Sequence, residues 1–92
     1  MKKVWLITGC STGFGRALAL EVLAKGEFVV VTARNTNDIQ DIVDQYPSNA
    51  IAIKLDVTIK EDITKAVKQS LDQFGQIDVL VNNEIGRASC RE

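Results

Sequence analysis

Histidine is absent from this 92-residue chain, and cysteine, proline, tryptophan and tyrosine are all scarce. Without histidine there is no imidazole to act as a general base or to bind a metal ion. The two cysteines, Cys10 and Cys90, have neither a metal-binding nor a redox spacing. We therefore predict no metal site, and thiols that stay reduced.

The chain also lacks a strong charge imbalance and a long apolar run. Its net charge of −1 gives no electrostatic reason to bind nucleic acid or an anionic membrane surface. Its apolar stretches are far shorter than the roughly 20 residues that a membrane span needs. The basic start, Met1-Lys2-Lys3, is followed by too short an apolar stretch for a signal peptide. We expect a cytoplasmic protein that binds neither nucleic acid nor membrane.

Four short apolar stretches alternate with three helical patterns, which predicts a β-α-β-α-β-α-β order. The predicted strands are 3–8, 28–33, 50–55 and 77–81, and the first two predicted helices are 14–25 and 38–46. Buried strands that alternate with helices indicate a parallel sheet covered on both faces. We therefore predict an α/β fold, a Rossmann-like doubly wound sheet of order 3-2-1-4 that is truncated after the fourth strand.

The third helix and the helix ends have local signals of their own. Thr58 and Glu61 have the spacing of a capping box, which predicts a helix start. The apolar or small residues that follow form one helical face: Ile63, Ala66, Val67, Ser70, Leu71 and Phe74. Gly26 and Gly75 are predicted to end the first and third helices.

A glycine-rich turn, Thr8 to Arg16, joins the first strand to the first helix. Gly9, Gly13 and Gly15 permit a tight bend and a close approach of the backbone to a ligand. The helix that follows offers unpaired N–H groups and the positive end of its dipole, which suits a pyrophosphate. In a doubly wound sheet this turn lies at the carboxyl ends of the strands, where ligands bind.

Four features in the same order along residues 1–83 resemble the short-chain dehydrogenase/reductase family. They are Thr8-Gly9-x-x-x-Gly13-x-Gly15, Arg34 after strand two, Leu55-Asp56-Val57-Thr58 after strand three, and Val81-Asn82-Asn83 after strand four. The resemblance implies the cofactor-binding half of a nicotinamide-dependent oxidoreductase. Its reaction would be hydride transfer between the cofactor and a small carbonyl or alcohol substrate, and the parent protein would be a homo-oligomer.

The resemblance also implies which residues contact the cofactor. The glycine turn would hold the pyrophosphate, with hydroxyl groups of Ser11 and Thr12 on phosphate or ribose. Asp56 would contact adenine, Asn83 would lie near the riboses, and Asn82 would tie strands together. The full predicted set is Gly9, Ser11, Thr12, Gly13, Phe14, Gly15, Arg34, Asp56, Val57 and Asn83.

The residue after the second strand bears on cofactor choice. An NAD site favours an acidic side chain there, which accepts hydrogen bonds from the ribose 2′-hydroxyl. The chain has Ala33-Arg34 instead, and a guanidinium pairs well with a 2′-phosphate. NADP is therefore favoured over NAD. The alternatives are that Arg34 lies in solvent, or that it stacks on adenine without distinguishing NADP from NAD.

Other polar and aromatic residues receive structural interpretations. Arg16 either reaches a phosphate or lies on the surface, and Cys10 and Phe14 are interpreted as packing residues. Tyr46 is rejected as a catalytic acid because no lysine stands four residues later, as the family's Tyr-x-x-x-Lys would require. The aspartates of the third helix and the following turn are interpreted as solvated charges: Asp62, Asp72 and Asp78.

Residues 84–92 depart from the family pattern, which continues Ala-Gly after Asn83. A back-translation of this tail resembles a sequencing adapter read in frame, so we predict an artefactual tail after a partial dinucleotide-binding domain of residues 1–83; a genuine divergent tail is the alternative. No catalytic residue of the family has a match, so the chain alone is expected to be inactive. The rival functions are a non-catalytic nucleotide-binding module and a methyltransferase, and Arg34 argues against the latter.

Overall fold

A computed structural model of the chain describes residues 2–11, 13–56 and 58–82. The strands are β1 (Val4–Ile7), β2 (Phe28–Ala33), β3 (Ala50–Lys54) and β4 (Val79–Val81). The helices are α1 (Gly13–Ala24), α2 (Gln40–Gln45) and α3 (Lys60–Phe74), and a short 3-10 turn covers Thr36–Asp38. The predicted alternation of strands and helices is confirmed, with ends that differ by at most two residues. Within these ranges no helix has both the length and the apolar character to cross a membrane.

The four strands form one parallel sheet in the order β3-β2-β1-β4, as predicted. Ile7 at the end of β1 lies between Val31 of β2 and Val81 of β4. From β1 the chain adds β2 and β3 on one side, and it then returns to add β4 on the other side of β1. Because all strands are parallel, the segments that leave their carboxyl ends share one edge of the sheet, and this edge carries the predicted site.

Helices cover both faces of the sheet. On one face α1 and α2 pack on Ile7, Val29 and Val31, with Ala19 and Ile42 among the buried helical residues. On the other face α3 packs through Ala66 on alternate residues of the same strands, among them Leu6, Val30 and Ile53. This alternation follows from the two-residue period of a strand. It makes the short strands apolar on both sides.

The predicted packing face of α3 is only partly correct. Ala66 and Ser70 are buried, but Ile63 and Leu71 are exposed, and so is Leu80 of β4. A single helix lies on this face within the described residues, and it covers the strands only along its inner side. The helical spacing of apolar residues therefore predicted a packing face on α3 that is wider than the sheet surface it contacts.

Two glycines end helices as predicted. Gly26 follows α1 with a φ of 89°, and Gly75 follows α3 with a φ of 83°. The Gly75 N–H donates to the carbonyl of Leu71 at 2.7 Å. This left-handed conformation is accessible to glycine at little cost.

Asp78 binds the start of the sheet, so its interpretation as a solvated charge is wrong. Its Oδ2 accepts a hydrogen bond from the backbone N–H of Val4 at 2.8 Å and another from the side chain of Gln76 at 2.8 Å. Val4 is buried, and a buried backbone N–H needs a hydrogen-bond partner. The carboxylate therefore ties the loop before β4 to the first residue of β1.

Candidate functional site

The glycine turn is fastened to the strands on both sides of β1. The N–H of Thr8 donates to the carbonyl of Val81 in β4 at 3.0 Å, and the N–H of Cys10 donates to the carbonyl of Thr32 in β2 at 2.8 Å. The Thr8 hydroxyl also donates to Oδ1 of Asn82 at 3.4 Å. Asn82 therefore ties strands together, as predicted, and the turn is held at the point where strand order reverses.

Two glycines of the turn have the left-handed backbone that the motif requires. Gly9 and Gly13 both have a φ of 66°. A Cβ built on Gly13 would meet no atom within 4 Å, so the space beside its Cα is open. Gly15, in the first turn of α1, is buried, and Ser11 is half-buried in the glycine turn. A helix start with open space beside a glycine is the geometry that lets a pyrophosphate approach backbone N–H groups.

Cys10 and Phe14 behave differently from one another, although both were interpreted as packing residues. Cys10 is fully buried, and its thiol donates to the carbonyl of Ile7 at 3.2 Å, so its packing role is confirmed. Phe14 is 58% exposed, so that interpretation is wrong. The inward side of α1 consists of Gly15, Ala19, Val22 and Leu23. Phe14 precedes the first of these by one residue and therefore points about 100° away.

Arg34 and Asp56 leave adjacent strands at the same edge. Arg34 follows β2 directly and is exposed, and Asp56 lies two residues after β3 and is half-buried. The N–H of Leu55 donates to the carbonyl of Ala33 at 2.9 Å, which holds the two strand ends together. The geometry therefore brings a cation and a carboxylate to the same edge of the sheet as the glycine turn, on the β2 side of β1.

The loop after β3 is organised around the Asp56 carboxylate. Its Oδ1 accepts hydrogen bonds from the Thr58 hydroxyl at 2.6 Å and from the Thr58 N–H at 3.0 Å. These bonds lower the pKa of Asp56, desolvation opposes them, and the charges of Arg34 and Lys54 lower the pKa further. The Asp56 carboxylate is therefore ionised at neutral pH and can accept hydrogen bonds.

The predicted capping box is wrong. Helix α3 has Ile59 at its N-cap, one residue beyond Thr58. The Thr58 hydroxyl and N–H both donate to Asp56, which holds Thr58 in the loop before the helix begins. Asp62 in the first turn of α3 instead accepts a hydrogen bond from the N–H of Asp56 at 3.1 Å, so it is not merely a solvated charge.

The Asp56–Thr58 contact gives a prediction on pH. A carboxyl group whose pKa is lower in the folded chain contributes stability above its unfolded pKa, here the ordinary 3.8, and loses it as the pH falls through the folded value. We expect the Thr58 amide resonance to follow a titration with a midpoint below 3.8. Thr58→Val, which removes the hydroxyl donor, should move that midpoint upward. A wild-type midpoint at or above the ordinary value would contradict this arrangement.

Arg16 and Tyr46 both make structural contacts. Arg16 forms an ion pair with Asp41 of α2, and its Nη1 donates to the carbonyl of Asp38 at 3.4 Å. This pair lowers the pKa of Asp41, chiefly through the hydrogen bond from Arg16. Tyr46 is partly buried against the core on the side of α1 and α2. The sequence did not indicate the Arg16–Asp41 or Asp62–Asp56 contacts, because charged residues of this kind are common on helix surfaces.

Three predicted site residues lie outside the residues that the structure describes: Thr12, Val57 and Asn83. The described members of the predicted set, from the glycine turn to Arg34 and Asp56, all lie at the carboxyl edge of the sheet. A parallel sheet that reverses its order beside a glycine turn and a helix start has the architecture of a Rossmann-like dinucleotide-binding fold.

The chain belongs to the short-chain dehydrogenase family, whose model, described as short chain dehydrogenase, matches residues 3–88. It is 38% identical over 84 residues to Oxidoreductase BOA17 of Botryotinia fuckeliana, covering 90% of this chain and 31% of that protein. It is 37% identical over 81 residues to the 3-oxoacyl-(acyl-carrier-protein) reductase FabG of Salmonella typhimurium, covering 88% of this chain and 33% of that protein.

Solved structures agree with this assignment. A short-chain dehydrogenase from Streptomyces avermitilis is similar with a TM-score of 0.87 and 49% identity, over 90% of this chain and 31% of the other. A 3-ketoacyl-(acyl-carrier-protein) reductase from Brucella melitensis, complexed with NADH, has a TM-score of 0.80 and 32% identity, over 85% of this chain and 32% of the other. The chain thus spans about a third of the length of these relatives.

Proposed function

We propose that this chain forms the adenine- and pyrophosphate-binding part of an oxidoreductase that transfers hydride between NADP(H) and a carbonyl or alcohol substrate. The observation that carries the choice of NADP is the Ala33-Arg34 pair at the end of β2, where an NAD site favours a carboxylate. A guanidinium forms strong charge-assisted hydrogen bonds with a phosphate but cannot accept one from a ribose hydroxyl.

The residues present fit such a cofactor. Gly13 leaves open space at the start of α1, where the helix offers N–H groups and a positive dipole end to a pyrophosphate. Asp56 is held as an ionised acceptor by Thr58, which suits an exocyclic amino group of adenine. When bound, the nicotinamide supplies the hydride chemistry, and the described residues bind and orient the adenosine end.

A titration of the chain with NADPH and with NADH tests this proposal. We expect NADPH to bind about tenfold or more tightly, because a hydrogen bond to a charged group contributes about 1.5–3 kcal/mol. The preference should shrink as salt is added, since screening weakens an exposed guanidinium–phosphate pair. Equal affinities, or tighter binding of NADH, would contradict the assignment of NADP. A longer protein that carries this segment should oxidise NADPH when given a ketone or an aldehyde.

A further inference from the structure

The side chain of Arg16 crosses from the first turn of α1 to the segment that follows β2. Its Nη1 donates to the carbonyl of Asp38, the last residue of the 3-10 turn, and its Nη2 pairs with the carboxylate of Asp41 in α2. The Arg16 side chain is 30% exposed and that of Asp41 is 63% exposed. This contact joins α1, whose start is proposed to bind the pyrophosphate, to the segment that carries Arg34, which is proposed to bind the ribose 2′-phosphate.

The segment that carries Arg34 is short and held at both ends. On one side Ala33 is fixed to β3 through its carbonyl, and on the other Asp38 is held by Arg16. Between these points Oδ1 of Asn35 accepts from the N–H of Asn37 at 3.0 Å, and the carbonyl of Asn35 accepts from the N–H of Asp38 at 3.0 Å. Four residues with internal hydrogen bonds leave little slack, so we expect a displacement at Asp38 to move the backbone that carries Arg34.

We propose that the Arg16–Asp41 pair positions Arg34, and so sets how strongly the chain distinguishes a dinucleotide with a 2′-phosphate from one without. The inference rests on the proposed function and names the residues that adjust the preference for NADP over NAD. Ile39 and Ile42 are fully buried and anchor α2 to the core without the ion pair. Loss of the pair therefore changes the alignment of the Arg34 segment while the fold remains.

If Asp41 acted only through its charge, its removal would have the opposite effect on NADPH binding. A titration can therefore distinguish positioning from general electrostatics. Removing a negative charge near the site should strengthen the binding of a polyanion, and most of all that of the more highly charged NADPH. If Asp41 acts by positioning, its removal weakens NADPH binding instead. The sign of the change separates the two effects.

The experiment compares Asp41→Asn with Asp44→Asn by titration with NADPH and NADH. Asp44 lies one turn along the same helix and contacts Gln40, so its variant removes the same charge without touching Arg16. We expect D41N to weaken NADPH binding about three- to fivefold, the range for a partly exposed ion pair, and to leave NADH binding unchanged. D44N should leave the preference unchanged or slightly raised. A D41N chain that binds NADPH as well as the wild type, or better, would overturn the inference.

A double variant and a cofactor-free measurement separate this inference from the proposal on which it rests. Asp41→Asn in an Arg16→Gln background should cause no further loss, because the pair is already broken; an additive loss would show that Asp41 acts alone. Without cofactor, D41N should speed amide exchange at Asn37 and Asp38 but not in β2, and unchanged exchange there would also overturn it. A wild-type chain that does not prefer NADPH would instead refute the proposed function, whatever Asp41 does.

Discussion

We expect Gly13→Ala to weaken dinucleotide binding about 10- to 100-fold while the sheet remains intact. The added Cβ would enter the open space beside the start of α1, where the pyrophosphate is proposed to lie. Overfilling a close contact by one methyl group costs about 1–3 kcal/mol, which corresponds to this loss of affinity. Titration with NADPH measures it, and the fluorescence of the single tryptophan, Trp5, reports whether the chain is folded.

Gly26→Ala is a closely matched control. Gly26 also has a positive φ, 89° against 66° at Gly13, and a Cβ there would also meet no atom within 4 Å. Both variants therefore incur a similar backbone strain of about 1–2 kcal/mol. Gly26 lies beyond the far end of α1, at the edge of the sheet opposite the site. If both variants lost affinity equally, the loss would come from stability, and the pyrophosphate assignment would fail.

Arg34→Asp should reverse the cofactor preference. It removes a guanidinium that would pair with the 2′-phosphate, and it places a carboxylate where an NAD site has its acceptor for the 2′-hydroxyl. Loss of a charged hydrogen bond, at about 1.5–3 kcal/mol, and the added repulsion should lower the ratio of NADPH to NADH affinity about 100-fold. Arg34 is exposed, so the variant should fold like the wild type.

Lys54→Asp tests whether the effect is specific to position 34. Lys54 is exposed at the end of β3, and its charge, like that of Arg34, lowers the pKa of Asp56. Its replacement makes the same change of charge at the same edge of the sheet. We expect a loss of only about two- to threefold for both cofactors, because exposed charges are well screened. A loss of preference in K54D as large as that in R34D would mean that general charge, rather than direct pairing, sets the preference.

The parts of the fold that depend on local signals could be predicted from the sequence. The alternation of apolar strands with amphipathic helices gave the strand order, because right-handed crossovers permit few alternatives. Gly26 and Gly75 identified helix ends, because a left-handed residue is needed there. The glycine turn could be placed at the carboxyl edge of the sheet for the same reason, since its position follows from topology.

Most contacts that could not be predicted join residues that are far apart along the chain. Arg16 and Asp41 are 25 residues apart, and Val4 and Asp78 are 74 apart, so no local pattern connects them. The capping box failed because two hydrogen bonds to Asp56 hold Thr58 in the loop, one residue before the N-cap residue Ile59. Phe14 and Ile63 were misjudged because apolar character does not say which side of a helix has a neighbour.

The bond between Thr8 and Val81 has a consequence for how the chain assembles. It joins residues 73 positions apart, whereas β1, α1 and β2 all lie within residues 4–33. Contacts between distant residues form late, because the entropy of closing a long loop must be overcome first. We expect β1, α1 and β2 to associate early and β4 to dock last. The glycine turn would then become rigid only when β4 docks, so competence to bind a ligand would coincide with the pairing of β1 and β4.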